Sequence, residues 1–411
     1  MKPLMISDRW LTSKRLRAHG LLLALSVWSI YIWTLATPTL RDRNGNLKGA
    51  DFLHFYTLGT LAVEHRGADL YDMKAQAAIA ATRVPDAAGI RYLPLYPPQV
   101  SLLFAPLARL SYGWALAGWW IASSLLYAVC CYSVCCACPN LQGYGATVAL
   151  LAAGFPAFFH LIAWGQTSAI ALALFTALFF LLRNGREFLA GLVVGCLIFK
   201  PQLGLAVAVV FVAMGAWKVV VGAVVSAAAQ ILAGILYYGT GPFCEWMRMM
   251  ATVRQLLPLL EPRPYQTHSL RAFWTMLIPW PNASLVLYGV SAAFVLSWTI
   301  VVWRRSGEAW SLRYSSLLLA TVLVSPHLTV YDLVILAPAF LLLADWLIDD
   351  HSSSNIGMGT LLYAAYMLPL IGPFARWTHV QFSVIAMALL LWMIWRISRQ
   401  RDLPQLAEQE G

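Results

Sequence analysis

Apolar runs separated by short polar breaks extend along nearly the whole chain. The first, uncharged from Gly20 to Thr37, is followed by others at about 112–134, 146–163, 167–182, 188–199, 202–216, 219–238, 283–303, 313–325, 330–348, 356–372 and 379–395. Most approach the roughly 20 residues that a helix needs to cross about 30 Å of hydrocarbon. They predict an all-α polytopic membrane protein, a single integral membrane domain over 1–411 with about twelve transmembrane helices. The polar remainder is concentrated in a segment at 39–111, a second at 239–282 and a tail at 396–411.

Composition agrees. Hydrophobic residues make up 60% of the 411 positions and charged residues 11%, with a mean hydropathy of +0.68. Soluble domains carry about 25% charged residues, and a soluble fold of this size could not cover so much apolar surface. An outer-membrane barrel would alternate apolar and polar positions, which this chain does not do. The net charge of +10 comes from 28 Lys+Arg against 18 Asp+Glu. These basic residues flank apolar runs without any recognition motif, which points to membrane lipids as partners and away from nucleic acid.

Lys2, Arg9, Lys14, Arg15 and Arg17 precede the first run, and no small-residue cleavage site follows it. A retained first helix with a cytoplasmic N-terminus is expected. The segment 97–110 decides the remaining topology. If it lies in the interface or re-enters, the turns at Arg183/Arg186, Lys218 and Arg304/Arg305 share the cytoplasm with the 396–411 tail. The segments 39–111 and 239–282 are then external loops, the first carrying membrane-parallel helices. Cys130, Cys131, Cys135, Cys136 and Cys138 would also lie at the cytoplasmic side, as reduced packing cysteines. Cys135 and Cys138 form a CxxC, but no second pair or histidine cluster completes a metal site, so no metal is expected.

Chemistry is therefore expected on the external side. Asp51 precedes a mostly apolar run expected to lie against the membrane; either it caps that helix, or it is a general base at the interface, backed by His54 one turn later. Asp69 or Asp72 caps a short helix further on. Tyr92-Leu93-Pro94-Leu95-Tyr96-Pro97-Pro98-Gln99 has prolines at three of five positions, which bars regular helix and makes a rigid extended strip containing Tyr96. Gln166, in Trp164-Gly165-Gln166-Thr167-Ser168, is either a simple polar turn residue or a sugar contact. Lys200 interrupts two short apolar runs, where it either snorkels to the surface or binds an anion. Ser325-Pro326-His327-Leu328-Thr329-Val330-Tyr331-Asp332 breaks two more. His268 and Arg271, three apart, would share one helix face and, with Lys200, hold a phosphate; lipid headgroups are the other use for Arg271.

An Asp after the first span, followed in order by GADLYD, YLPLYPP, WGQTS, KPQ, HSLR and SPHLTVYD over roughly 45–335, resembles glycosyltransferase family 87. That family contains polyprenol-phosphate-mannose-dependent mannosyltransferases of the GT-C fold. Thr267-His268 stands where the family usually has Asn-Gln. The resemblance implies inverting transfer of one mannose-like sugar from a polyprenyl-phosphate donor to a glycolipid or polysaccharide acceptor. No cofactor is implied beyond the lipid-linked donor. Asp51 would be the catalytic base and Lys200, Arg271 and His268 the phosphate ligands, with His54, Tyr96, Gln166, His327 and Asp332 as sugar or acceptor contacts. Two rivals draw on the same residues. Proline-broken helices around Lys200 and Pro326 suit a secondary transporter, and the H-x4-D of His327 and Asp332 has a spacing found in some membrane acyltransferases.

Overall fold

A computed structural model of the chain describes residues 10–261, 263–305, 307, 309–350 and 356–400. Lys2 and Arg9 of the basic N-terminus, and the tail from Arg401 onward, lie outside the described residues. Among those described, regular structure is helical throughout, with only two isolated β-bridges, Arg41 with Leu47 and Thr267 with Thr329.

Each of the twelve apolar runs is helical. α1 (Ser13–Leu35) is followed in the 39–111 segment by α2 (Phe52–Val63), α3 (Met73–Arg83) and α4 (Val100–Phe104), with tight turns at Gly67–Tyr71, Pro85–Ala87 and Leu107–Arg109. Then come α5 (Tyr112–Cys136), α6 (Gly145–Ala153), α7 (Pro156–Trp164), α8 (Ser168–Arg183), α9 (Glu187–Gly195), α10 (Pro201–Ala213) and α11 (Trp217–Tyr238). The second polar segment forms α12 (Gly241–Leu260) and α13 (Leu270–Leu277). α14 (Pro281–Arg304), α15 (Trp310–Val324), α16 (Ala337–Asp349), α17 (Met358–Met367), α18 (Ala375–Thr378) and α19 (Phe382–Gln400) complete the bundle.

Seven of these helical stretches are long and apolar enough to cross a bilayer unaided, among them Val330–Asp349 and Met358–Thr378. The run at 146–163 is a pair, α6 and α7, bent by 46° where Gly154 and Pro156 interrupt the backbone ladder. α8, α10, α15 and the stretch Glu187–Phe199 are shorter than a full crossing. Polar breaks thus fall inside the bundle, and Gln166, Lys200 and Asp332 occur at them.

α9 and α11 meet along a glycine seam. Gly191 and Gly195 lie four apart on α9, and a Cβ on either would collide with the α11 backbone, at Val219 O and Ala223 O. Gly222 answers from α11, facing Phe188 O. Small residues at i and i+4 let two helix backbones touch, which apolar lipid cannot drive by itself.

The two ends of the bundle differ. At one, Lys218 pairs with Glu187 (3.6 Å), Arg304 donates to Ala213 O (3.4 Å), and Arg396 and Arg399 lie over Trp392 and Trp395. At the other, the two polar segments touch where Trp246 Nε1 donates to Leu95 O (3.1 Å), and the end of α11 joins the first of them where Tyr237 Oη donates to Ala62 O (2.9 Å). α4 and its following turn are too short to cross a membrane. α2 differs from its expected setting against lipid: every residue from Phe52 to Ala62 is buried in protein. Its apolarity is used in packing, with Phe55 stacked on Phe104 (4.8 Å) and Phe52 on Trp119 (6.1 Å).

Gly191→Ile forces the α9–α11 backbones apart, so a loss of about 1–3 kcal/mol is expected. Thermal unfolding in detergent, compared with Leu192→Ile on the same helix, measures it.

Candidate active site

Asp51 is placed by backbone first. Gly49 takes a positive φ of 62°, Ala50 O receives the Tyr92 hydroxyl, and Asp51 N–H donates to Trp164 O (3.0 Å). The carboxylate makes no cap for α2. It turns instead to Gln166, whose Nε2 donates to Asp51 Oδ2 at 2.6 Å. The meeting depends on Gly165, which ends α7 in the left-handed region (φ 71°); a Cβ there would stand 2.6 Å from Phe52 Cβ. Trp119 Nε1 fixes the same turn from outside by donating to Gly165 O (3.1 Å).

Two residues along, Ser168 Oγ donates to Asp332 Oδ1 (2.6 Å). Lys200 Nζ donates to that same oxygen at 2.7 Å and to Ser168 Oγ at 3.0 Å, and faces the Tyr331 ring at 5.1 Å. Lys200 and Asp332 are 3% and 2% exposed. Lys200 therefore does not snorkel; it is an internal ion-pair partner. The other Asp332 oxygen accepts from Thr329 N–H and Oγ1 (3.3 Å each), starting the turn into Val330–Leu336. One carboxylate thus caps a turn and neutralises a buried lysine.

A third group uses Glu261. Its Oε1 accepts from Arg271 Nη2 and lies 2.7 Å from His327 Nδ1, while Arg271 Nε donates to Pro326 O. Burial works to raise the Glu261 pKa, but His327 and Arg271 outweigh it and hold the carboxyl below its usual value. The segment 326–332 joins this group to the Lys200–Asp332 pair.

Expected partnerships are redrawn in three places. His268 and Arg271 do not share a helix face, because Ser269 caps α13 (its Oγ accepts from Ala272 N–H) and the helix begins at Leu270. His268 precedes the cap, is 1% exposed, and its Nδ1 meets Ser383 Oγ at 2.7 Å. Burial, with His160 nearby, pushes its pKa down to about 3. Lys200, Arg271 and His268 consequently serve three different partners. His54 does not back Asp51: among the described residues neither ring nitrogen has a hydrogen-bond partner. It is enclosed beside Tyr92 (5.2 Å) and Tyr96 (5.8 Å), and burial pushes its pKa down to about 4, leaving a neutral ring. Tyr96 packs edge-on against Phe55, and its carbonyl accepts from Tyr71 Oη (2.8 Å). His327 and Asp332 point to different partners, so their H-x4-D spacing makes no pair. Of the two acidic cap candidates, Asp72 caps α3, while Asp69 pairs with Arg66.

Sequence reasoning missed Glu261 and Ser168. Nothing local marks Glu261, whose partners are 10 and 66 residues away. Ser168 stood inside a noted motif as an ordinary turn residue. Among the described residues, no group of three or more His, Cys, Asp or Glu side chains could hold a metal ion.

Desolvation raises the Asp51 pKa to about 6 from the ordinary 3.8; the Gln166 hydrogen bond and the Lys200 charge pull against it. A carboxylate so placed is ionised near neutrality yet basic enough to take a proton, as general-base work requires. Replacing Gly165 by Ala would both strain φ and press on Phe52, so a stability loss of about 1–3 kcal/mol is expected. Differential scanning calorimetry in detergent, alongside Gly185→Ala at a turn with open space, tests this.

No curated protein and no solved structure matches the chain. The family model described as Glycosyltransferase family 87 matches residues 95–326, more than half of the sequence. Gln166, Ser168, Lys200, Glu261, His268 and Arg271 fall inside the matched region, whereas Asp51, His327 and Asp332 flank it. The chain belongs to glycosyltransferase family 87.

Proposed function

We propose that the protein transfers a single mannose-like sugar, with inversion, from a polyprenyl-phosphate donor to a glycolipid or polysaccharide acceptor. Asp51 is the general base. The observation that carries this reading is a half-buried carboxylate, relieved of any capping duty and aimed by Gln166, with its proton affinity raised into the working range. The carboxylate takes the acceptor hydroxyl proton as the oxygen bonds to the anomeric carbon. The bond from that carbon to the phosphate oxygen breaks, and the phosphate leaves with the electron pair. A phosphate is a stable anion, so the leaving group needs no general acid, and no metal or other cofactor is required.

For the donor phosphate, the support is strongest at Arg271. It lies in the segment 239–282, its side chain is 14% exposed, and it already binds a carboxylate oxygen beside His327. Lys200 and His268 are more deeply enclosed. α13 also borders an apolar cleft of about 440 Å³ against α14 and α19, lined by Leu270, Phe273, Trp274, Trp298 and Trp392. An isoprenyl chain lying there would bring its headgroup to the arginine one residue from Leu270. Gln166, Tyr96 and His327 are the sugar or acceptor contacts of this reading, which places the site on the external face of a bacterial plasma membrane; the enclosed His54 and the fully engaged Asp332 line it from behind. Membership of a glycosyltransferase family sets the transporter and acyltransferase readings aside.

Asp51→Asn is expected to lower sugar transfer from a short-chain polyprenyl-phosphate mannose by about 10²–10⁴-fold in nanodiscs. Normal turnover by correctly folded Asp51→Asn and Asp51→Ala proteins refutes the base assignment. Because the Asp51 pKa is raised, activity should be present above about pH 6 and fall as pH drops through it. Arg271→Ala should raise the donor KM with a smaller change in acceptor KM; equal donor affinity counts against the phosphate role.

A further inference from the structure

Lys200 is held by partners within the protein. Two of its ammonium directions go to Asp332 Oδ1 and Ser168 Oγ, at 2.7 and 3.0 Å, and the Tyr331 ring faces it at 5.1 Å. A buried ion pair is weak evidence for stability, since well-packed apolar residues of similar volume often do as well. Its position is more informative. Gln166 holds Asp51 and Ser168 holds the pair, so the base and the lysine hang from residues two apart, no more than about 7 Å of extended chain. Through this shared turn the Lys200 charge acts on the Asp51 carboxylate, and in an apolar interior a full charge is felt far more strongly than in water.

We propose that Lys200 is a positioning residue for Asp51: its ammonium, fixed by Asp332 and Ser168, favours the ionised carboxylate, and the Asp332 charge limits that pull. This rests on the reading of Asp51 as the base, and it replaces a phosphate role for Lys200. Other titratable groups facing Asp51 are the phenols of Tyr92, Tyr96, Tyr112 and Tyr331. His54, one turn along α2, is a neutral ring. Ordinary phenols titrate near 10, so around neutral pH the charge acting on Asp51 is that of Lys200, which Asp332 offsets as its ion-pair partner.

The test is an infrared titration of the Asp51 carboxyl in nanodiscs without donor, its band assigned by subtracting Asp51→Asn. Lys200→Met should raise the titration midpoint by about one pH unit. Asp332→Asn should lower it, and Lys200→Arg should leave it near the wild-type value. If Asp332→Asn does not fold, the double variant Lys200→Met/Asp332→Asn buries no charge and should raise the midpoint by less than Lys200→Met alone. The acid limb of kcat/KM should move with each midpoint. A midpoint unmoved by Lys200→Met, or moved in one direction by both single variants as water entry would do, overturns the proposal. So does a raised donor KM in Lys200→Met with the Asp51 midpoint in place. Loss of the base assignment has a separate signature, sugar transfer surviving Asp51→Asn, and leaves the titration readable.

Discussion

Lys200 and Asp332 are 132 residues apart in the chain and 2.7 Å apart in space, inside a bundle whose sequence is 60% hydrophobic. Removing one member of such a pair strands a charge away from water, at a cost of about 3–5 kcal/mol. The three chain breaks at 165–168, 196–201 and 325–332 must therefore meet. They are where the apolar runs are shortest or bent, so the bundle gives up helix length at the level where it gathers its polar groups. Irregular backbone survives inside a membrane protein when it is buried in protein or lines a cavity, and here side chains satisfy it: Thr329 and Asp332 cap each other, and Trp119 holds Gly165.

The 39–111 segment supplies Asp51 without depending on the bundle for all of its order. α2, α4 and the start of α5 share an apolar core of aromatic rings, and Tyr56 and Tyr112 tie loop carbonyls to it. Asp51 stands where this small core joins the larger one, at the contact of Phe52 with the Gly165 turn. A carboxylate held at a seam between two packed units is rigid from both sides, which keeps its hydrogen bond to Gln166 aligned.

Helix positions were largely legible because an apolar run of membrane length has few other stable fates; all twelve runs are helical. Lengths were less so, since Gly154 and Pro156 act together at one bend. Within the site, Asp51, Gln166, Lys200 and Asp332 stood out as polar residues among apolar neighbours, and that isolation is what forces them to find one another. The pairings were not legible, as partners 115 and 132 residues apart leave no local trace. Local chemistry also misled where two rules competed. Spacing put His268 and Arg271 on one face, but Ser269 is a good N-cap and started the helix between them. α2 read as a lipid-facing run because apolar composition alone does not distinguish lipid from a protein cover. The Gly191/Gly195 repeat was visible in the sequence, and its meaning required knowing that α11 lies opposite.

That glycine seam reaches further than packing. With α9 and α11 in backbone contact at Gly191, Gly195 and Gly222, the short helix has no cushion of side chains along which to slide. Lys200 follows Gly195 by five residues, through one tight turn at Cys196–Phe199. The seam thus works as a depth gauge for the ammonium: a shift of one helix against the other would carry the charge towards or away from Asp51. Bulk introduced at Gly195 would then register as altered proton affinity in a distant carboxylate as well as a looser bundle.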